Sequence, residues 1–210
     1  MNGIHKTRFH FQNYKIMSTI LIGGGTGMIG QRLSKLLNQS GHEVLHLSRT
    51  QNLSATFPAY EWNLKAKTIS EEAVKKADYI INLAGAGIAD KPWTAARKKV
   101  IIDSRVDSTL LLKKAIESYN PTLKAFLSAS AIGYYGDQGN EALTEASNAG
   151  TAGFLAESVI EWEKAIEQVA ETGVRTVGLR IGLVLSTKGG ALPKLLLPTK
   201  LNVGGYFDDG

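Results

Sequence analysis

Thr19-Ile20-Leu21-Ile22-Gly23-Gly24-Gly25-Thr26-Gly27-Met28-Ile29-Gly30-Gln31-Arg32-Leu33 is the stretch on which the reading of this chain turns. Four residues suited to a buried strand run into a glycine-rich turn, and apolar residues at helical spacing follow. Gly24, Gly27 and Gly30 stand three apart between strand and helix. At those offsets Gly24 and Gly27 let the chain turn sharply and let a pyrophosphate approach the backbone, while Gly30 lets helix and strand pack closely. Met28 and Ile29 open the helix, whose first amides face the phosphates. Gly24, Gly25, Thr26, Gly27, Met28, Ile29 and Gly30 are therefore the expected phosphate-binding residues of a dinucleotide site.

The kind of dinucleotide is decided at the end of the second strand, where an acidic residue would take the ribose 2′-hydroxyl of NAD. This strand ends Leu47-Ser48-Arg49. No carboxylate repels a 2′-phosphate there, Arg49 can pair with one and stack under the adenine, and Ser48 can donate a hydrogen bond. The expected cofactor is NADP(H).

Beyond the turn, β-rich apolar runs recur at residues 44–47, 79–83, 125–127 and 176–179, separated by stretches with helical period. That alternation predicts an α/β fold, a Rossmann-type doubly wound parallel sheet. Helices are expected over residues 28–38, with Ile29, Leu33, Leu36 and Leu37 on one core-facing stripe, and over 154–172, with Leu155, Val159, Trp162, Ile166 and Val169 on another. Ser70 should cap a short helix whose Glu71 and Glu72 suit its dipole. Residues 93–119 read as a crossover helix. Residues 1–16 form an N-terminal extension ahead of Met17, a candidate natural start; 17–185 are the cofactor domain; 186–210 open a C-terminal substrate region that ends abruptly.

With 210 residues, 43% of them hydrophobic, the chain can bury a sizeable core. It has no cysteine, which excludes disulfides and thiolate metal sites, and His5, His10, His42 and His46 show no ligand-like spacing, so no metal is expected. The net charge of +5 comes from Lys and Arg scattered among 19 acids, without the aromatic-interleaved basic stripe of a nucleic-acid binder. No apolar run approaches the roughly 20 residues of a membrane span, and the leader has no signal-peptide core. A soluble, cytoplasmic protein with a small-molecule substrate is expected; a homodimer is left open.

Three further stretches carry a family resemblance: Asn82-Leu83-Ala84-Gly85, Ser104-Arg105-Val106 and Ser128-Ala129-Ser130-Ala131-Ile132-Gly133-Tyr134-Tyr135-Gly136. With the glycine turn, with Ser48-Arg49 and with Phe154-Leu155-Ala156-Glu157 followed by Trp162-Glu163, they resemble the extended short-chain dehydrogenase/reductases. A closer likeness is to the atypical branch of nucleoside-diphosphate-sugar epimerase family proteins. The resemblance runs from Met17 to Gly210, whereas members continue through a Trp-Ile-His-type strand and a helical substrate portion. It implies that Leu83, Ala84 and Gly85 line the adenine and ribose side of the cofactor and that Arg105 reaches a cofactor phosphate, against the plainer reading of Arg105 as an exposed helix charge.

The resemblance also implies a mechanism and a gap in it. The superfamily moves the hydroxyl proton with a Tyr, aided by a Lys four residues on and by a Ser. Ser130, expected just past its strand, matches the serine; Phe154 and Ser158 occupy the Tyr and Lys positions. A phenyl ring cannot exchange a proton. Tyr134 is the candidate substitute, with Tyr135 beside it, a packing or stacking role being the alternative; Glu157 is expected to face solvent. Arg180 matches a position that meets substrate in extended members, or else is a structural charge. Two functions follow: an NADP-dependent oxidoreductase or epimerase acting on a sugar nucleotide or similar hydroxylated compound, or a non-catalytic NADP(H)-binding sensor or partner module.

Overall fold

The computed structural model describes residues 17–151, 153–187, 189–190, 192–193, 196 and 200. Its centre is a seven-stranded sheet built from β1 (Thr19–Gly23), β2 (Glu43–Ser48), β3 (Ala59–Asn63), β4 (Thr68–Ile69), β5 (Tyr79–Asn82), β6 (Ala125–Ala131) and β7 (Thr176–Ile181). The order is β4-β3-β2-β1-β5-β6-β7, parallel throughout except for the β3–β4 pair. This is the doubly wound Rossmann arrangement expected from the sequence, and its strand order reverses between β1 and β5. In such sheets ligands bind at the carboxyl ends of the strands flanking the reversal.

The central strands β1, β2, β5 and β6 are largely apolar and buried because both faces are covered. On β1, Leu21 joins Leu45, Ile80, Phe126 and the inward residues of α2 (Glu71–Lys76) and α3 (Ala95–Tyr119). Ile20 and Ile22 point the other way and pack, with Val44 and Ile81, against Leu33 and Leu37 of α1 (Met28–Gln39). Burying side chains of this size contributes about 1.5–3 kcal/mol each. α4 (Phe154–Ala170) lays Val159, Trp162, Ile166 and Val169 inward as expected. Leu155, expected on that stripe, is exposed, as are Ile29 and Leu36 of α1.

The caps behave as their chemistry requires. Ser70 accepts from the Ala73 amide and Thr94 from the Arg97 amide, opening α2 and α3. The Asn120 amide group, just past α3, donates to the carbonyls of Val74 and Ala77 at 2.9 and 2.8 Å and ties the end of α3 to α2.

β3 and β4 are not in the sequence reading. β3 buries Ala59, Tyr60 and Trp62 while Glu61 and Asn63 face solvent, the alternation of a strand near a sheet edge. β6 runs on to Ala131, so Ser130 lies within the strand rather than past it. Two short strands, β8 (Leu185–Ser186) and β9 (Gly189–Gly190), form an antiparallel pair. The expected extension at 1–16, and most of the region from 186 onward, lie outside the described residues. No helix is long and apolar enough to cross a membrane, and no metal-holding group of acids and histidines occurs, both among the described residues.

Candidate active site

The glycine turn sits at the reversal point, between the ends of β1 and β5. Gly24 has φ +77°, and a Cβ there would lie 2.8 Å from the Leu83 carbonyl group and 2.9 Å from the Ala84 amide. Turn and β5 loop therefore touch backbone to backbone, which only glycine permits. At Gly30 a Cβ would fall 2.5 Å from the Gly24 carbonyl oxygen, the close helix-to-turn packing expected of the third glycine. Gly27 differs: a Cβ there meets only the Gly24 oxygen, at 3.3 Å, so the space before α1 is open. Gly27 caps α1 without a side-chain hydrogen bond, and the first turn carries no acidic residue. Uncapped helix amides behind an open cradle suit a pyrophosphate.

Beneath the turn lies His46, buried on β2 and packed against Gly25. The Ser34 hydroxyl donates to the Gly30 carbonyl, so the 2.8 Å contact between Ser34 and His46 Nε2 assigns the proton to that nitrogen. Burial holds the His46 pKa below its ordinary value of 6.5, keeping the ring neutral. At the end of β2, Ser48 accepts from the Thr50 amide at 3.3 Å. Arg49 follows, exposed and with no acidic partner among the described residues.

The loop after β5 is shaped by polar side chains. Asn82, fully buried, donates to Ser108 and Thr109 on α3 and accepts from the Ala84 amide. Ser104 accepts from the Ala86 amide, and Arg105 donates to the carbonyls of Ala86 and Ile101 at 3.0 and 2.9 Å. Its guanidinium lies over the Trp162 ring at 5.2 Å. Burial, with the nearby charge of Arg97, lowers the Arg105 pKa. Arg105 is thus no exposed helix charge; it braces Gly85 and Ala86 in the loop after β5.

A second constellation lies across β6, α4 and β7. Arg180 donates to both oxygens of Glu163, at 2.9 and 2.8 Å, to the Tyr135 hydroxyl at 2.8 Å and to the Glu145 carbonyl at 3.1 Å. Its guanidinium also stacks 3.6 Å from the centre of the Tyr134 ring. The hydrogen bond to Glu163 is the main cause of its raised pKa. Ser130 donates a short hydrogen bond to the same carboxylate. Arg180 therefore joins Ser130 and Tyr134 through one network. Sequence reasoning noted Glu163 only as part of a motif; its partner is 17 residues away, with no spacing to betray the pair.

Phe154 opens α4, and Ser158 is buried with its hydroxyl spent on the Leu155 carbonyl. Glu157 is exposed, as expected. The Phe154 ring packs edge-on against Trp93, with centroids 5.2 Å apart.

Residues 20–199 match the model of the NAD dependent epimerase/dehydratase family. Epimerase family protein SSP1921 of Staphylococcus saprophyticus is 35% identical over 92% of this chain, and YfhF of Bacillus subtilis is 35% identical over 91%. The chain spans 64% and 63% of those proteins' lengths. Among solved structures, human epimerase family protein SDR39U1 (isoform 2) with NADPH superposes with a TM-score of 0.77 at 33% identity, over 91% of this chain and 63% of that one. The nucleoside-diphosphate sugar epimerase of Corynebacterium glutamicum gives 0.76 at 34%, over 93% and 40%. Fold, motifs and relatives agree: this chain belongs to the NAD-dependent epimerase/dehydratase family.

Proposed function

We propose that this chain is an NADP(H)-binding epimerase-family protein, an oxidoreductase or epimerase acting on a sugar nucleotide or similar hydroxylated small molecule. The observation that carries the reading is the open cradle before Gly27 at the sheet's reversal point, with the unopposed Arg49 at the end of β2. NADPH in the human relative supports the same choice of cofactor.

In this reading the amides at Gly27, Met28 and Ile29 hold the pyrophosphate, with Gly24, Gly25, Thr26 and Gly30 shaping the turn. Arg49 and Ser48 hold the 2′-phosphate, and Leu83, Ala84 and Gly85, braced by Arg105, form the adenine and ribose wall. When bound, the cofactor supplies reversible hydride transfer at a carbinol carbon. The chain must then move the hydroxyl proton without Tyr or Lys at positions 154 and 158. Ser130 and Tyr134 are the polar groups assigned to that task. The Ser130 proton already points to Glu163, which leaves the Ser130 oxygen free to accept from a substrate hydroxyl. Tyr134 is oriented by the guanidinium over its ring.

Calorimetric titration of the purified protein with NADPH and with NADH tests the reading. NADPH should bind at least tenfold more tightly, about 1.4 kcal/mol. Equal affinities, or no binding of either, would refute it.

A further inference from the structure

The start of α4 meets a lysine carried by another helix. Lys98, on the first turn of α3, puts its ammonium 5.2 Å from the centre of the Phe154 ring. Lys98 is half-buried and has no carboxylate within ion-pair distance among the described residues, whereas the neighbouring Lys99 is paired with Asp103.

Phe154 and Trp93 wall a cavity of about 380 Å³, and Lys98 stands beside the Phe154 ring without itself lining the cavity. Gly133, Gly136 and Gly153 form part of its lining and leave room for a ring. Trp93 is 43% exposed, and its indole N–H is fixed by a 2.9 Å bond to the Ile88 carbonyl, so the ring stands in place before any ligand arrives. Asp137 is the one acidic lining residue, and its carboxylate accepts from the Gly139 amide at 2.9 Å. Two fixed aromatic rings offer faces and edges to a flat or sugar ring, and an ammonium beside them attracts an oxyanion on that ring.

We infer that Trp93, Phe154 and Lys98 form the substrate subsite, and that it takes a ring bearing a carboxylate or phosphate oxyanion, the ring against the aromatic pair and the anion at Lys98. The inference rests on the proposed reading of this chain as an epimerase-family protein acting on a hydroxylated small molecule.

Trp93 provides the test. The other two tryptophans, Trp62 and Trp162, are both 6% exposed, so in a nitrogen-15 spectrum their indole signals report the fold while that of Trp93 reports the cavity. Trp93→Phe assigns the signal. Benzoate and its neutral isostere benzamide are titrated separately into the NADPH-mixed protein. Benzoate should move the Trp93 signal saturably and bind at least fivefold more tightly than benzamide; Lys98→Gln should erase that difference with the Trp62 and Trp162 signals in place. Equal response to the two probes, a benzoate preference that survives Lys98→Gln, or no movement of Trp93 at all would each overturn the subsite. The same titrations without NADPH separate this from the cofactor reading. A charge-selective response in a protein that binds no NADPH keeps the subsite and refutes the cofactor site, and NADPH binding without that response does the reverse.

Discussion

The two halves of the molecule are built by different means. Around β1, α1, β2 and the β5 loop, the site is made of backbone: glycines that let strands, helix and loop touch, and helix amides that face an open cradle. Across β6, α4 and β7 it is made of side chains, with Arg180 joining Glu163, Ser130, Tyr134 and Tyr135. A backbone site is written in local spacing and suits the invariant part of a reaction, the cofactor. A side-chain network is assembled from distant positions and suits the variable part, the substrate.

The difference should show first as separable damage. Gly24→Val puts a branched side chain at φ +77° against the Leu83 backbone, and strain with overpacking should cost about 3–5 kcal/mol in stability and abolish NADPH binding. Gly27→Leu should abolish binding while leaving the thermal midpoint almost unmoved, because only the cradle is filled. A Gly27→Leu protein that binds NADPH normally would place the phosphates elsewhere.

On the other side, Arg180→Met leaves the largely buried Glu163 carboxylate without its partner and should cost about 3–4 kcal/mol by urea unfolding. The folded fraction should retain NADPH affinity within a factor of about 3, under 1 kcal/mol. Loss of affinity to match the loss of stability would show that the halves act as one unit.

Arg49→Ala sharpens the comparison from the cofactor side. Removing one charge-assisted contact of about 1.5–3 kcal/mol should narrow the preference for NADPH over NADH by one to two decades. Equal weakening of both cofactors would mean that Arg49 does not read the 2′-phosphate.

The smallest expected effect is one of pH. Because burial depresses the His46 pKa, the unfolded chain binds the proton first, so stability is undiminished above 6.5 and falls below it. The loss should reach at most about 1.4 kcal/mol per pH unit below that value. Thermal midpoints of the parent and of His46→Gln, compared between pH 7.5 and 5.5, measure it; an equal acid sensitivity in both would exonerate His46.

Legibility in the sequence followed the same division. The turn from β1 to α1, the end of β2 and the Ser70 cap could be read because each is fixed within a few residues. β3 escaped notice because Glu61 interrupts a short run whose burial depends on neighbouring strands. Ile29 and Leu36 carry the period of a core-facing stripe, yet the described elements cover only Leu33 and Leu37 of it. Glu163 stands in a local motif that does not reveal its partner, and Lys98 has no local signature; Arg180 and Phe154 are brought to them by the fold. Ser130 and Arg180 were singled out individually; their registration across β6 and β7 is what joins them.

Amide hydrogen exchange with and without NADPH tests the central claim most directly, since it reads every segment of the sheet at once. Saturating NADPH should slow exchange at residues 24–30, 48–50 and 83–86, with 176–181 unchanged. Protection that omits residues 24–30, or that falls mainly on 176–181, would contradict a cofactor site built from the backbone at the reversal of the sheet.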